Sequence, residues 1–390
     1  MLSDCEYRLI RDQKSLLQLR DELAACGCFA FDTEFVGEDS YRPQVCLIQV
    51  ATDDICALID PLGGLDAGPI WEMIADKNIQ VAVHAGSEDL ALCWKEIGQS
   101  PANVVDLQIG GGLMGLGYPT SLVRLAKATI GAKLHKSQTL TDWRKRPLAE
   151  AQLRYAVEDV IHLPAIHRHM HQRLTALGRA EWLIEESAKL CAADSRTARG
   201  HKRLRKIRGV NSLRPQQLAI LDAIMAERDE LARKHDRPPR TILRDHLVVE
   251  LARHGWTTVE KMRSLRGLNL ANADLKRIAA AIEKAKTMPP EDWPEPAADE
   301  PTLTEDALLG LIGTVLLDFC QREGIAYSLL TNKEDLRCFV RSYHDPTVEA
   351  STVALRNGWR GKAVGRLLER ILSGQGSIRV DPARRRLVVE

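Results

Sequence analysis

The sequence predicts an α/β domain followed by all-helical domains, and three observations carry that prediction. Four β-rich stretches punctuated by turn signals lie between Phe29 and His84. Helical patterns alternate with and follow them, and the strand signal nearly vanishes after Leu190. We place the α/β domain at residues 1–192 and a helical domain at 213–288. A basic linker, 193–212, joins the two, and an acidic Pro-rich linker, 289–301, leads to a C-terminal helical domain at 302–390.

The strands are read in FAFDTEF, VCLIQVAT, ICALID and IQVAVHA, rich in aliphatic and aromatic residues and followed closely by Gly, Pro or Asp. Helical periodicity runs over Gln13 to Cys26, Glu88 to Ile97, Ser121 to Ile130, and in one long stretch from Leu148 to about Leu177. From Leu213 to Lys286 the pattern is of short amphipathic helices, interrupted at Arg237-Pro238-Pro239, His254-Gly255 and Arg266-Gly267. Met288 to Pro301 holds five prolines among acids, which is linker composition. The last segment opens as helix and closes with SIRVDPARRRLVVE, whose alternation around Asp381-Pro382 predicts a hairpin.

With 45% hydrophobic and 27% charged residues, the 390-residue chain suits a soluble protein of two or three domains. Its first residues, MLSDCEYRLIRDQ, lack the apolar core of a secretion signal, and no apolar run is long enough to span a bilayer. A cytoplasmic location is expected, with no membrane partner, no organic cofactor and a monomeric state. Nine dispersed cysteines fit reduced thiols; Cys26 and Cys28 form a lone C-x-C, whereas a structural zinc needs four converging ligands. The net charge of +1 points to no partner by itself, but its distribution does. Arg196, Arg199, Lys202, Arg203, Arg205, Lys206, Arg208 and Arg214 cluster without an acid, a field able to attract phosphates. The plain alternative is a solvated linker.

Three pieces carry chemistry. Asp32 and Glu34 stand two apart on a predicted strand, so both carboxylates leave one face, flanked by Ala30, Phe31 and Phe35. Two acids in apolar company repel and resist desolvation unless a cation neutralises them, and hard Mg²⁺ or Mn²⁺ prefers such oxygen ligands. An exposed edge strand is the competing explanation. Asp89 falls in the first turn of the helix after VAVHAGS, where acids also occur simply because they complement the helix dipole. Tyr155 and Asp159 lie four apart on a periodic helix and share a face, where they could merely hydrogen-bond each other. His162, His167, His169 and His171 cannot all share one helical face and are read as packing or surface residues.

Together, FDTEF with Tyr41, Pro43 and CLIQVA, then HAGSEDL, then YAVEDV introduced by DWRKRPL and Gln152, resemble the three exonuclease motifs of the DEDD superfamily, and within it the ribonuclease D family. Tyr155 stands four before Asp159, with Arg154 five before it, which makes the resemblance one to the tyrosine subclass. The resemblance implies a ribonuclease H-like mixed-sheet fold and 3′→5′ hydrolysis of RNA by two divalent metal ions, Mg²⁺ or Mn²⁺. On that basis Asp32, Glu34, Asp89 and Asp159 hold the metals and Tyr155 orients the attacking water. Gly37 stands where relatives often carry a basic residue, and VDLQ at Val105 to Gln108 replaces Asp-Thr-Gln; neither departure touches a ligand. Lys136, Arg144 and Arg146 precede the third motif and are candidates for phosphate contact, as are Lys202, Arg203, Arg205, Lys206 and Arg208 in the basic run; solvated charge is the alternative.

Arg214 to Met288 is similar to the HRDC domain, through PPRTILRDHLVVELA and the LRGLN turn, and residues 302–390 are read as a possible divergent copy. The resemblance implies RNA with a free 3′ end as partner, tRNA precursors above all, and binding that weakens steeply with salt. A DNA exonuclease of the same mechanism remains open, because no motif reads the 2′-hydroxyl. A catalytically dead RNA scaffold is the third reading, disfavoured because all four acids and the tyrosine are present.

Overall fold

A computed structural model describes residues 6–134, 141–192, 207–294, 303–346, 348–384 and 386–390. It divides into two units: one of residues up to Glu34, Leu47–Ala192 and the segment from 303 onward, the other of Phe35–Cys46 and the helical segment ending before residue 300.

In the first unit β1 (Arg8–Ile10) leads to α1 (Gln13–Cys26), which begins where Asp12 Oδ1 accepts from Ser15 N–H at 2.9 Å and ends at Gly27, with φ of 68°. Leu16, Leu19 and Leu23 recur at helical spacing and are fully buried. Strands β2 (Cys28–Val36), β3 (Gln44–Ala51) and β4 (Cys56–Ile59) follow. Then come α2 (Gly68–Ala75), β5 (Gln80–Val83), α3 (Ser87–Ile97), β6 (Val104–Asp106), α4 (Leu107–Leu113) and α5 (Leu122–Ile130). The sheet order is β1-β4-β3-β2-β5-β6, with β3 antiparallel to β4 and the pairs β1/β4, β2/β5 and β5/β6 parallel, so the sheet is mixed as expected. Phe29 and Ala30 lie opposite Val81 and Ala82. Because β2 and β5 run in parallel, Asp32 and the turn that follows β5 emerge at the same end of the sheet.

Where the sequence suggested one helix from 148 to 177, the structure has two, α6 (Glu150–Ile161) and α7 (Leu163–Ala176). Pro164 lies in the first turn of α7, where its missing N–H costs nothing, and it would clash in a helix interior. Helix α8 (Ala180–Cys191) closes the α/β part. Strands β1 and β6 and helices α2 and α4 were not foreseen, being too short for periodicity to register; α4, LQIGGGL, reads as a loop.

The C-terminal segment belongs to this unit. Its helices are α14 (Leu303–Glu323), α15 (Tyr327–Leu330), α16 (Lys333–His344) and α17 (Gly358–Arg360), the last running through a π turn at Gly361–Gly365 into α18 (Arg366–Leu372). The expected hairpin forms from β7 (Ile378–Asp381) and β8 (Arg386–Val389). Trp359, fully buried, stacks on Trp182 of α8 with centroids 5.1 Å apart, and Arg360 makes a two-pronged ion pair with Glu186, at 2.5 and 2.9 Å.

The second unit holds α9 (Pro215–Lys234), α10 (Pro239–Ile242), α11 (Asp245–His254), α12 (Val259–Arg263) and α13 (Asn272–Lys286). Its breaks fall at the three predicted places, with Gly255 in the left-handed region closing α11. Ile224, Leu231, Val248, Leu251, Leu275, Ile278 and Ile282 form a closed core. Residues Phe35–Cys46 pack in the same unit, where the Tyr41 hydroxyl donates to Asp229 Oδ2 at 2.7 Å.

Candidate active site

Each acid reaches the site on a different kind of support. Asp32 and Glu34 alternate with buried Phe31 and Thr33 along β2, so the strand's own pleat aims them. Asp89 sits in the first turn of α3, delivered by the turn His84-Ala85-Gly86. Ala85 has φ of 59°, a left-handed conformation that costs a non-glycine residue roughly 1–2 kcal/mol. Gly86 is required here, because a Cβ would lie 2.7 Å from Val83 Cβ. Tyr155 and Asp159 share one face of α6.

The structure brings these five residues together. Burial is the main cause that raises the pKa of Asp32, and the charges of Asp89, Asp159 and Glu34 raise it further. Glu34 is pushed up to about 8 by burial, then by Asp159 and Asp89. Asp159 is raised to about 7, chiefly by burial, although the Tyr155 hydroxyl donates to it and opposes the shift. Asp89, only 8% exposed, is raised by burial against the pull of a hydrogen bond from the Thr33 hydroxyl. The Tyr155 hydroxyl is raised by burial and by the anionic neighbours Asp159 and Glu34, which keeps it protonated and a donor.

Four carboxyl groups buried close together ionise only at a cost, and divalent cations can remove it. The donor set is all oxygen and fits Mg²⁺ or Mn²⁺. Among the described residues no three His, Cys, Asp or Glu side chains already converge on a point that could hold an ion. Asp89 is turned to Thr33 and Asp159 to Tyr155.

The DWRKRPL segment supports Tyr155 from outside. Trp143, 5% exposed, packs on the Tyr155 ring with centroids 6.1 Å apart. Arg146 is committed to structure: it donates to both Asp60 oxygens at 2.6 and 2.7 Å and to the carbonyls of Trp143 and Lys145. Arg144 pairs with Asp142 at 2.9 Å while remaining half exposed, and Arg208 is exposed. Lys136, Lys202, Arg203, Arg205 and Lys206 lie outside the described residues.

Sequence reasoning passed over Asp106, noting it only within VDLQ. It is 3% exposed, and its Oδ1 accepts both the Ala85 N–H at 3.1 Å and the Gln108 N–H at 2.8 Å. The signal was available: an Asp ending a strand-like pair of valines is a helix-cap candidate. Its reach to Ala85 across the sheet was not.

A 3′-5′ exonuclease family model matches residues 7–175, and an HRDC domain model matches residues 217–282. The chain is 32% identical over 366 residues to ribonuclease D of Pseudomonas paraeruginosa, spanning 93% of this chain and 96% of that one. With ribonuclease D of Sphingobium indicum it shares 29% identity over 385 residues, 97% of each. Among solved structures, Escherichia coli RNase D, described as an exoribonuclease involved in structured RNA processing, aligns with a TM-score of 0.78 at 27% identity over 95% of this chain and 99% of that one. Agreement that extends along nearly the whole of both chains, with the exonuclease and HRDC models matched in turn, means that this chain belongs to the ribonuclease D family of 3′→5′ exoribonucleases.

Proposed function

We propose that this exoribonuclease trims structured RNAs, tRNA precursors among them, from a free 3′ end, acting as a monomer in the cytoplasm with two divalent metal ions. The observation that carries the metal reading is the cluster of Asp32, Glu34, Asp89 and Asp159, whose shared burial and repulsion lift their pKa values together. In this reading Asp32 would serve both ions, Glu34 and Asp159 would complete one position, and Asp89 would hold the other. When bound, such ions lower the pKa of water toward neutrality and offset charge on the leaving 3′-oxygen.

The chain's own residues supply the rest. Tyr155, kept protonated by burial and by the acids beside it, would orient the attacking water through its hydroxyl rather than abstract a proton, since a phenol that stays protonated near neutral pH is not available as a base. Trp143 fixes the ring that carries that hydroxyl. The E. coli relative's described action on structured RNA, together with the basic run from Arg196 to Arg214, supports an RNA tail as substrate.

The test uses matched RNA and DNA oligonucleotides labelled at the 5′ end, incubated with Mg²⁺, Mn²⁺ or chelator beside an Asp32→Asn variant. Ladders that shorten from the 3′ end of RNA, lost in chelator and reduced about a thousandfold by Asp32→Asn, are expected. Activity surviving chelator refutes the metal reading. Equal turnover of a 3′-phosphate-blocked strand refutes entry at a free 3′-hydroxyl, and faster turnover of DNA than RNA refutes the substrate assignment.

A further inference from the structure

Asp89 sits in the first turn of α3, so its position depends on the turn that starts that helix, and that turn is held by groups outside the three exonuclease motifs. The Ala85 N–H, at the left-handed residue of the turn, donates to Asp106 Oδ1 at 3.1 Å. The same oxygen caps α4 through the Gln108 N–H at 2.8 Å, and the Asp106 N–H donates to buried Ser187 Oγ at 3.1 Å. One carboxylate oxygen therefore locks the end of β5 to the start of α4.

A second lock lies beside it. The Thr120 carbonyl accepts from Gln108 Nε2 at 3.0 Å and pairs with His84 Nε2 at 3.0 Å, so it spans the residues flanking the first lock. Thr120 is itself only 3% exposed, at the end of the segment that leaves α4.

That segment is gripped by the C-terminal helices. Ala326 N–H donates to Gly112 O at 2.8 Å, and Ser328 Oγ donates to Tyr118 O. Arg179, 5% exposed, donates to Leu113 O at 2.9 Å, to Glu323 O at 2.6 Å and to Gly324 O at 3.3 Å, tying the end of α4 to the end of α14. The glycines permit the approach. A Cβ on Gly111 would lie 2.9 Å from Thr120 Cγ2, one on Gly112 2.8 Å from Leu329 Cδ2, and one on Gly115 2.9 Å from Gly324 O.

We propose that Asp106 is a positioning residue for Asp89, and that residues 303–390 serve the exonuclease site by holding the Gly112–Thr120 segment, and through Thr120 the turn that delivers Asp89. The inference rests on the metal-holding role of Asp89 proposed above. It gives the C-terminal segment a task in the nuclease centre itself: Ser328 holds Tyr118, the backbone carries that hold through Pro119 to Thr120, and Gln108 links Thr120 to the Asp106 oxygen that also binds Ala85.

Isothermal titration of Mn²⁺ into the full-length protein tests it, using wild type, Asp89→Asn, Asp106→Ala, Asp106→Asn and Ser328→Ala, with the KM for RNA measured alongside. About tenfold weaker Mn²⁺ binding is expected for Asp106→Ala, the scale on which groups that orient ligands act. Asp106→Asn keeps Oδ1 as an acceptor and is expected to restore affinity to within about twofold of wild type, whereas Ser328→Ala loses about threefold. KM for RNA and the Mn²⁺ stoichiometry stay unchanged in all three, whereas a general loss of folding would lower the stoichiometry. Wild-type Mn²⁺ affinity in Asp106→Ala overturns the role of Asp106, and equal weakening by Asp106→Asn overturns the hydrogen-bond account of it. Wild-type affinity in Ser328→Ala overturns the part given to the C-terminal segment. Should Asp106→Ala fail to fold, Asp106→Ser, whose oxygen can still cap α4 but, one bond shorter, falls short of the Ala85 N–H, takes its place with the same reading. If Asp89→Asn binds Mn²⁺ like wild type, the metal role of Asp89 fails, and that result is separate from failure of the positioning inference.

Discussion

Tyr155 donates to Asp159 and is braced by Trp143, so its hydroxyl is fixed in direction while its ring is fixed in place. Tyr155→Phe keeps the ring and removes only the donor. We expect kcat to fall about a hundredfold with KM within about twofold, the signature of a contact realised in the transition state, measured by single-turnover cleavage of a labelled RNA. Glu34 makes a second prediction. Its pKa in the fold, about 8, lies above the usual 4.5, so its contribution to stability is fully present below pH 4.5 and is lost as the pH rises through 8. In chelator, the melting temperature should therefore fall between pH 5 and pH 8, and the fall should be smaller in Glu34→Gln. Added Mn²⁺ should raise it more at pH 8 than at pH 5, because at pH 5 the ion must displace protons.

Among the elements, α4 shows how composition and conformation can disagree. Three consecutive glycines weaken a helix, at roughly 0.8–1 kcal/mol each relative to alanine, yet LQIGGGL is helical. Packing on three sides explains it. A Cβ on Gly110 would be driven into Met170 Sδ, while Gly111 faces Thr120 and Gly112 faces Leu329. Met170 is fully buried and has no room to yield. Gly110→Ala is thus expected to destabilise by about 1–3 kcal/mol despite its better helix propensity, seen as a lower denaturation midpoint with an unchanged slope. A gain in stability would mean that the α4–α7 packing is looser than described. The division of α6 from α7 follows the same logic at a single residue: Pro164 permits a helix to begin there and forbids one to continue through it.

On the scale of the whole molecule, the C-terminal segment and the α/β part share a buried seam at Glu186, Arg360, Trp182 and Trp359. The Arg360 guanidinium, with Lys189 and the Trp359 indole N–H, overcomes burial and holds the Glu186 carboxyl down to about 2. A carboxyl whose pKa is lowered by folding contributes stability above its usual value near 4.5 and loses it as the pH falls through 2. The contribution is on the order of 3 kcal/mol. Acid titration followed by tryptophan fluorescence should show the seam opening between these limits, with Trp359→Phe removing the signal and Glu186→Gln abolishing the pH dependence. A midpoint identical in Glu186→Gln and wild type would assign acid sensitivity elsewhere.

The mixed α/β class, the helical second unit with its three breaks and the C-terminal hairpin were legible in the sequence, because period-2 and period-3.6 patterns and the Gly and Pro punctuation are local properties. Asp32 with Glu34, and Tyr155 with Asp159, were legible as same-face pairs for the same reason. Only the tertiary structure brought the two pairs to one place and set Asp89 beside them, since parallel pairing of β2 with β5 is a long-range fact that no local pattern encodes. It also decided that α4 is a helix, that Arg146 is an anchor to Asp60 and that Asp106 reaches Ala85. Each of these is set by a partner distant in sequence, where burial and hydrogen bonding outweigh the propensity of the residue itself.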